Sequence, residues 1–267
     1  MSPVLALVVA HPDDDTFGSA GTVALHADDP SFRFVLLHAT RGEAGEIADP
    51  ALATPETLGA VREEEDRRSW IALGREPDRH EWLGYPDHGV ADVDRAELVD
   101  RIAAILREEG PDVVVTFGPD GVTGHPDHVA VGAAATAAFH RLREEGVPGF
   151  LRLIHTVIPQ RMIDAWNREL VAAGKEPMDS AQMYVPGGVP DGTVDVEVDT
   201  TRVVDRVIAA IAEHRTQAAG IGDWSDEQLR RTFSREHGVV AWPRRMPGAP
   251  LLTDVFESLE GSRARRT

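Results

Sequence analysis

Val4-Leu5-Ala6-Leu7-Val8-Val9-Ala10-His11-Pro12-Asp13-Asp14-Asp15 is the stretch on which the reading of this chain turns. Its apolar run has the length and composition of a buried strand, and it leads directly into an imidazole, a proline and three carboxylates. The pattern recurs once: Asp112-Val113-Val114-Val115-Thr116-Phe117 reads as a second buried strand and is followed by Gly124-His125-Pro126-Asp127-His128. In open parallel sheets the residues just past the strand C-termini line the ligand crevice. Both clusters are therefore expected at one pocket. Two imidazoles and a carboxylate that leave a fourth position open describe a catalytic zinc site.

Working outward, strand-like and helix-like segments alternate. Helical patterns cover 16–28, 57–74, 94–109 and 127–145, and strand patterns cover 33–39, 80–83 and 112–117. Strands alternating with helices imply βαβ units. The expected fold is α/β, a Rossmann-like, mostly parallel sheet with helices on both faces and a decorated C-terminal portion. The second half is less regular, with a strand expected at 151–158, a helix at 163–173 and a loop over the Gly/Pro-rich 186–192. An edge strand at 193–198 and helices at 203–214 and 225–233, the last capped by Ser225, complete the pattern. No internal repeat or linker is seen, so residues 1–267 read as one domain. Within it, about 1–160 form the core, about 161–260 shape the substrate site and 261–267 form a flexible tail.

Composition narrows the function. The 267-residue chain carries a net charge of -18, which argues against nucleic acid or anionic membrane as a partner. The one basic run, Arg263-Ala264-Arg265-Arg266, reads as part of the frayed tail. No apolar stretch is long enough to span a bilayer, and the apolar start lacks a basic leader. The chain has no cysteine, so a transition-metal site must use His and carboxylate. That composition fits a cytoplasmic enzyme. Oligomeric state is not readable.

His11 and Asp14, three residues apart at a turn that enters a helix, can project to the same side. Pro12 stiffens the turn. Asp13 and Asp15 point elsewhere, which leaves one of them for acid–base work. In the second cluster either His125 or His128 can be a ligand, and binding by all four candidates would close the metal to water. Asp127 is placed to orient an adjacent imidazole. Acidic residues also favour a helix N-terminus for dipole reasons alone, but that explains neither the His-Pro pair nor its recurrence.

Taken together, His11-Pro12-Asp13-Asp14 and His125-Pro126-Asp127-His128 resemble the LmbE-like (PIG-L) family of zinc-dependent N-deacetylases acting on N-acetylglucosaminyl conjugates. Thr40-Arg41-Gly42-Glu43, Arg62 with Glu65, Leu83-Gly84-Tyr85-Pro86-Asp87 and, more loosely, 212–217 add support. The resemblance spans roughly Val4 to Gln217. It implies that His11, Asp14 and His128 bind Zn2+ (or another divalent ion such as Fe2+) and that Asp13 is the general base. It further implies that His125 stabilises the oxyanion, Asp127 tunes that histidine and Arg62 anchors substrate. Tyr85 and His214 are further candidates for contact with substrate, and Trp82 and His88 for sugar stacking. His214 equally suits a helix-capping role. One departure is that the family usually has Glu where this chain has Asp15, which shortens a supporting arm.

The expected activity is removal of an N-acetyl group from a small-molecule amino-sugar conjugate, releasing acetate and a free amine. The alternatives are a deacetylase or amidase that tailors a secondary metabolite, and a metal-binding relative without catalysis. A dinucleotide-binding protein is disfavoured, because the first strand–helix turn carries acids where G-x-G-x-x-G would cradle a pyrophosphate.

Overall fold

A computed structural model describes residues 3–220, 224–246 and 248–259. The basic run at 263–266 and the rest of the expected tail lie outside the described residues. Strand β1 (Val4–Val9) leads to helix α1 (Asp14–His26), β2 (Arg33–His38), α2 (Leu58–Leu73) and β3 (Arg79–Trp82). Helix α3 (Arg95–Glu109) then leads to β4 (Val113–Phe117), α4 (Pro126–Glu144) and β5 (Arg152–Thr156). Beyond these lie the short β6 (Ile158–Pro159), α5 (Gln160–Ala172), β7 (Gly188–Val189), β8 (Val196–Asp199), α6 (Val204–Ile211), α7 (Asp226–Phe233) and β9 (Arg235–Trp242).

The main sheet has seven strands in the order β3-β2-β1-β4-β5-β9-β8. The first five pair in parallel, with β1 in register on β2 from Val4↔Arg33 to Val9↔His38 and on β4 through Ala6↔Val114. β9 and β8 extend it in antiparallel pairing. β1 is fully flanked, which is why it is apolar throughout and not alternating. Helices α3 and α4 pack on each other and α4 against β1 and β4, while α1, α2 and α6 form the layer on the other face. Trp70 of α2 packs on Phe34 of β2 with ring centroids 4.8 Å apart. The buried apolar cluster runs from Leu5 to Leu259, so the later elements share the core of the earlier ones. Among the described residues no helix is long and apolar enough to cross a membrane.

The chain moves outward from β1 to β2 and β3, then crosses to β4 on the other side of β1. That reversal splays the connections leaving β1 and β4 and opens a crevice at their C-terminal ends. Both histidine clusters begin there.

The alternation in the first half matches the expected elements to within two residues at each boundary. The second half differs more. The strand expected at 151–158 is split between β5 and β6, which lies in a separate two-stranded sheet. The helix expected at 163–173 starts at Gln160, and the edge strand expected at 193–198 starts at Val196. β9 has no counterpart in the sequence reading, and the expected loop over 186–192 contains β7, which pairs with β6. The sequence hides β9 because tertiary contacts dictate its residues. Gly238 sits so close to β5 that a Cβ there would lie 2.5 Å from the Ile154 side chain. Glu236 is drawn in by α1, accepting from the Gly21 and Thr22 amides and the Thr22 hydroxyl. A strand built from a glycine and charged partners shows no clean period-2 pattern. The expected edge strand is β8, and it does lie at the sheet edge. Ser225 caps α7 in a reciprocal capping box with Gln228.

Candidate active site

The first cluster is a tight turn between β1 and α1. Asp13 precedes the helix with φ 104°, a region costly for a residue with a Cβ, about 1–3 kcal/mol. Its surroundings hold it there. Arg62 of α2 donates to the Pro12 carbonyl at 2.6 Å and to Asp13 Oδ2 at 3.2 Å, while the Asp13 amide donates to Asp15 Oδ1 at 3.2 Å. The turn throws the three carboxylates in different directions. Asp14 returns to His11, accepting from its amide at 2.8 Å, and Asp15 goes inward to the Trp70 indole at 2.8 Å. Asp13 keeps a solvent-facing edge.

The second cluster opens α4. His125 is the N-cap, its Nδ1 accepting from the Asp127 amide at 3.1 Å, and Pro126 occupies the first helical turn. In a neutral ring the proton therefore sits on Nε2. His128 stacks on Phe117 with centroids 4.2 Å apart, and its Nδ1 lies 2.9 Å from the Gly121 carbonyl. A carbonyl only accepts, so Nδ1 carries the hydrogen and Nε2 offers a lone pair.

The two clusters meet. His11 Nδ1 and His128 Nε2 are 3.1 Å apart, Asp14 Oδ2 is 3.3 Å from the former, and Asp14 Oδ1 is 3.3 Å from the latter. Donors at roughly 2.0–2.1 Å from a tetrahedral zinc stand roughly 3.3 Å from one another. This N2O set fits a divalent ion and leaves a coordination position open. Asp87 Oδ1 lies 2.9 Å from His11 Nε2 and Asp127 Oδ2 3.6 Å from it. A carboxylate behind a ligating imidazole fixes its orientation and raises its basicity.

The electrostatics agree with a cation here. Burial alone would lower the His11 pKa, yet Asp127, Asp14 and Asp87 together hold it well above the ordinary value. Burial would raise Asp14, but His128 and His11 outweigh it and keep its carboxyl well below the usual range. The carboxylates on both sides of the ring thus favour positive charge at His11. His125 is pushed down to about 4 by burial and by its histidine neighbours, so it is neutral near pH 7. Burial raises Asp13 to about 7 despite the opposing Arg62 charge.

Other expected residues sit differently. Arg62 is buried, and its guanidinium donates to the carbonyls of Gly42 and Pro12 and to Asp13. These contacts are internal, and its buried Nε has no hydrogen-bond partner among the described residues. Tyr85 is also buried, its hydroxyl donating to Glu97 and its ring under Arg101, so it packs toward α3 and offers no sugar platform. His214 is buried with Nε2 3.1 Å from the Thr16 hydroxyl, which ties α6 to α1. The Asp127 carboxylate accepts from the Val90 amide and faces His11, so its support of His125 comes mainly through its own amide.

Three contributors stand out that the sequence reading left without a role at the metal or only loosely placed. Asp87, just past β3, backs His11. The His88 ring lies 5.0 Å from that of His125, and the exposed Tyr184 ring lies 4.9 Å from His125. Asp87 was within a quoted motif. Tyr184 carries no local signal, since it reaches the site through a long connection pinned by its amide to the Thr123 carbonyl.

Comparison with known proteins gives the family and the fold. Residues 6–139 match the family model described as PIG-L, GlcNAc-PI de-N-acetylase. The chain is 34% identical to a 1D-myo-inositol 2-acetamido-2-deoxy-alpha-D-glucopyranoside deacetylase of Kineococcus radiotolerans, over 97% of this chain and 83% of that protein. A conserved protein of Thermus thermophilus superposes with a TM-score of 0.61 at 25% identity, covering 94% of this chain and 100% of that one. An N,N'-diacetylchitobiose deacetylase of Pyrococcus horikoshii superposes with a TM-score of 0.60 at 22% identity, covering 92% and 84%. That last likeness concerns the fold alone.

Proposed function

The chain belongs to the PIG-L family, and from that premise we propose that it is a metal-dependent hydrolase that removes the acetyl group from an N-acetylglucosaminyl conjugate. The observation that carries the reading is the meeting of His11, Asp14 and His128 with Asp13 on the adjoining turn. The relatives' named substrate directs the choice toward N-acetylglucosamine linked to a polyol such as inositol. A cytoplasmic location fits the acidic, cysteine-free composition.

His11, Asp14 and His128 would hold Zn2+ or another divalent ion such as Fe2+, which supplies Lewis acidity toward the amide carbonyl and makes water a better nucleophile near neutral pH. Asp13 takes the proton from the attacking water and returns it to the amine nitrogen as the C–N bond breaks. A carboxyl raised to about 7 can both accept and release a proton under those conditions. His125, neutral with its hydrogen on Nε2, donates to the oxygen that becomes negative in the tetrahedral state, a contribution commonly worth about 10²–10³ in rate. Arg62 holds the Asp13 turn in its unusual conformation. His88 and Tyr184 flank His125 at the rim, where a sugar ring would lie.

The test is release of primary amine from N-acetylglucosaminyl-inositol, with free N-acetylglucosamine and an N-acetylated peptide as comparisons. Exhaustive chelation should abolish release and added Zn2+ or Fe2+ should restore it. Undiminished turnover by demetallated protein would end the metal-dependent reading. Preference for the peptide would end the sugar assignment.

A further inference from the structure

Behind the catalytic turn, on the side away from substrate, lies a second group of metal-binding side chains. His38 ends β2, His80 lies in β3 and Asp66 projects from α2. One ligand atom from each lies within 4.8 Å of the others. His38 and Asp66 are buried, while His80 is about one-fifth exposed and gives the cluster a path to solvent. None of the three takes part in the deacetylation chemistry above.

We propose that His38, His80 and Asp66 form a second divalent-metal site, suited to Zn2+, that braces the catalytic turn from behind. Its plan is like that of the first site in its paired imidazoles and differs in where the carboxylate stands. Two imidazole nitrogens face each other, His38 Nδ1 and His80 Nε2 at 2.9 Å, much as His11 and His128 do at 3.1 Å. A carboxylate stands beside His80, with Asp66 Oδ2 3.8 Å from His80 Nε2, while its Oδ1 lies 3.8 Å from His38 Nε2, the ring nitrogen on the side away from His80. A further carboxylate backs the inner imidazole: Asp15 Oδ1 lies 3.4 Å from His38 Nε2, as Asp87 backs His11. Carboxylate–histidine–metal chains of this kind are the usual support of metal-ligating imidazoles.

Asp66 is the second, independent sign. It is fully buried, and among the described residues neither of its oxygens accepts a hydrogen bond from an N–H or O–H donor. A buried ionised carboxylate without a partner is strongly disfavoured, so it must find a cation or carry a proton. Burial, and then the nearby Asp15 charge, push its pKa well above the ordinary value. Burial holds His80 down to about 3, which leaves it neutral and fit to ligate. The Asp66 oxygens, at 3.8 Å, stand wider than the roughly 3.3 Å of a tetrahedral zinc site, and the two imidazole nitrogens, at 2.9 Å, stand closer. Asp66, which when protonated shares a hydrogen bond with Asp15, would turn from Asp15 to close that gap.

The consequence for the known site runs through Asp15. Its carboxylate touches His38, the Trp70 indole and the Asp13 amide. An ion fixed by β2, β3 and α2 would orient His38, and through it the residue that holds the Asp13 backbone. Asp15 suits this because its short arm ends between His38 and Trp70.

The experiment counts zinc in dialysed protein loaded with Zn2+ alone, and locates it by anomalous scattering at the zinc edge in crystals of the unmodified chain. The expected result is two equivalents, with one peak among His11, Asp14 and His128 and a second among His38, Asp66 and His80. His80→Ala should remove the second peak and keep the first, and His128→Ala should do the reverse. Zinc lost on His80→Ala but kept on His128→Ala would sustain this inference while removing the catalytic-metal reading. A single equivalent that survives His80→Ala, with no peak near Asp66 in the unmodified protein, would overturn it and leave Asp66 as a neutral acid facing Asp15. The crystal measurement stands even if a variant fails to fold.

Discussion

At Asp13, backbone and side chain are restrained separately: Asp15 takes the amide, Arg62 the carbonyl before it and one carboxylate oxygen. The residue lies next to Asp14 without belonging to the converging donor set. Asp13→Ala is therefore expected to retain zinc and lower turnover by about 10²–10⁴, the usual range for losing a general base. Metal analysis beside an amine-release assay decides it. Full activity in that variant would move the proton transfer elsewhere, and loss of zinc would make Asp13 a ligand. At this scale the sequence was most informative where chemistry is local. His11 and Asp14 are placed by three residues of spacing, and His128 by the start of a helix. Asp87 was harder to see, because its role depends on β3 lying beside β2. Arg62, Tyr85 and His214 were expected at substrate from motif, and their hydrogen bonds run to Gly42, Pro12 and Asp13, to Glu97 and to Thr16.

Elements carry these residues to the site, and two contacts show how tightly. Gly132 of α4 lies against β4 so closely that an added Cβ would stand 2.6 Å from the Phe117 carbonyl oxygen. Alanine normally favours a helix interior over glycine by about 1 kcal/mol. Here overpacking of about 1–3 kcal/mol opposes that gain. Gly132→Ala should thus be net destabilising in denaturant unfolding and should weaken zinc binding, because Phe117 stacks on His128. Stabilisation would show that α4 can shift without cost. At the far end of α1, His26 lies 2.9 Å from Asp254 and edge-on to Phe256, which fastens the C-terminal segment. Burial would raise Asp254, but the bond to His26, the Phe256 amide and the His26 charge leave it below its ordinary value. A lowered carboxyl stabilises the fold above its unfolded pKa of about 3.9 and loses that contribution as pH falls through the folded value. Asp254→Asn should cost under about 1 kcal/mol near pH 6, since the pair is partly exposed, and the difference from the unmodified protein should shrink toward pH 3. A constant difference across that range would assign the effect to packing. The alternation of β1 through α4 was legible because each element buries one continuous face. β9 was not, because its glycine and glutamate answer to β5 and α1 and not to a period of its own.

Across the whole molecule, the sheet order β3-β2-β1-β4-β5 does what no local pattern can: it places His11 and His128, 117 positions apart, within 3.1 Å. The recurrence of His-Pro-Asp after two buried strands made that meeting foreseeable. The route taken by the chain after β5 was not, since residues 151–259 alternate short elements that find their places only against the finished core. A metal held by β1's exit and α4's start would join the two halves of the parallel sheet, so its binding would appear in global stability. A ligand that binds only the folded state adds about 2.7 kcal/mol when free at a hundred times its dissociation constant. At about 2–4 °C per kcal/mol for a chain of this size, zinc should raise the melting temperature by about 5–10 °C. The rise should be smaller in His128→Ala, which removes a donor from one side of the crevice and leaves the other side intact. Calorimetry over a zinc titration measures both. An equal rise in the unmodified protein and in His128→Ala would mean that the ion stabilises the fold without bridging β1 and β4, and the sheet reversal would then have to be explained without it.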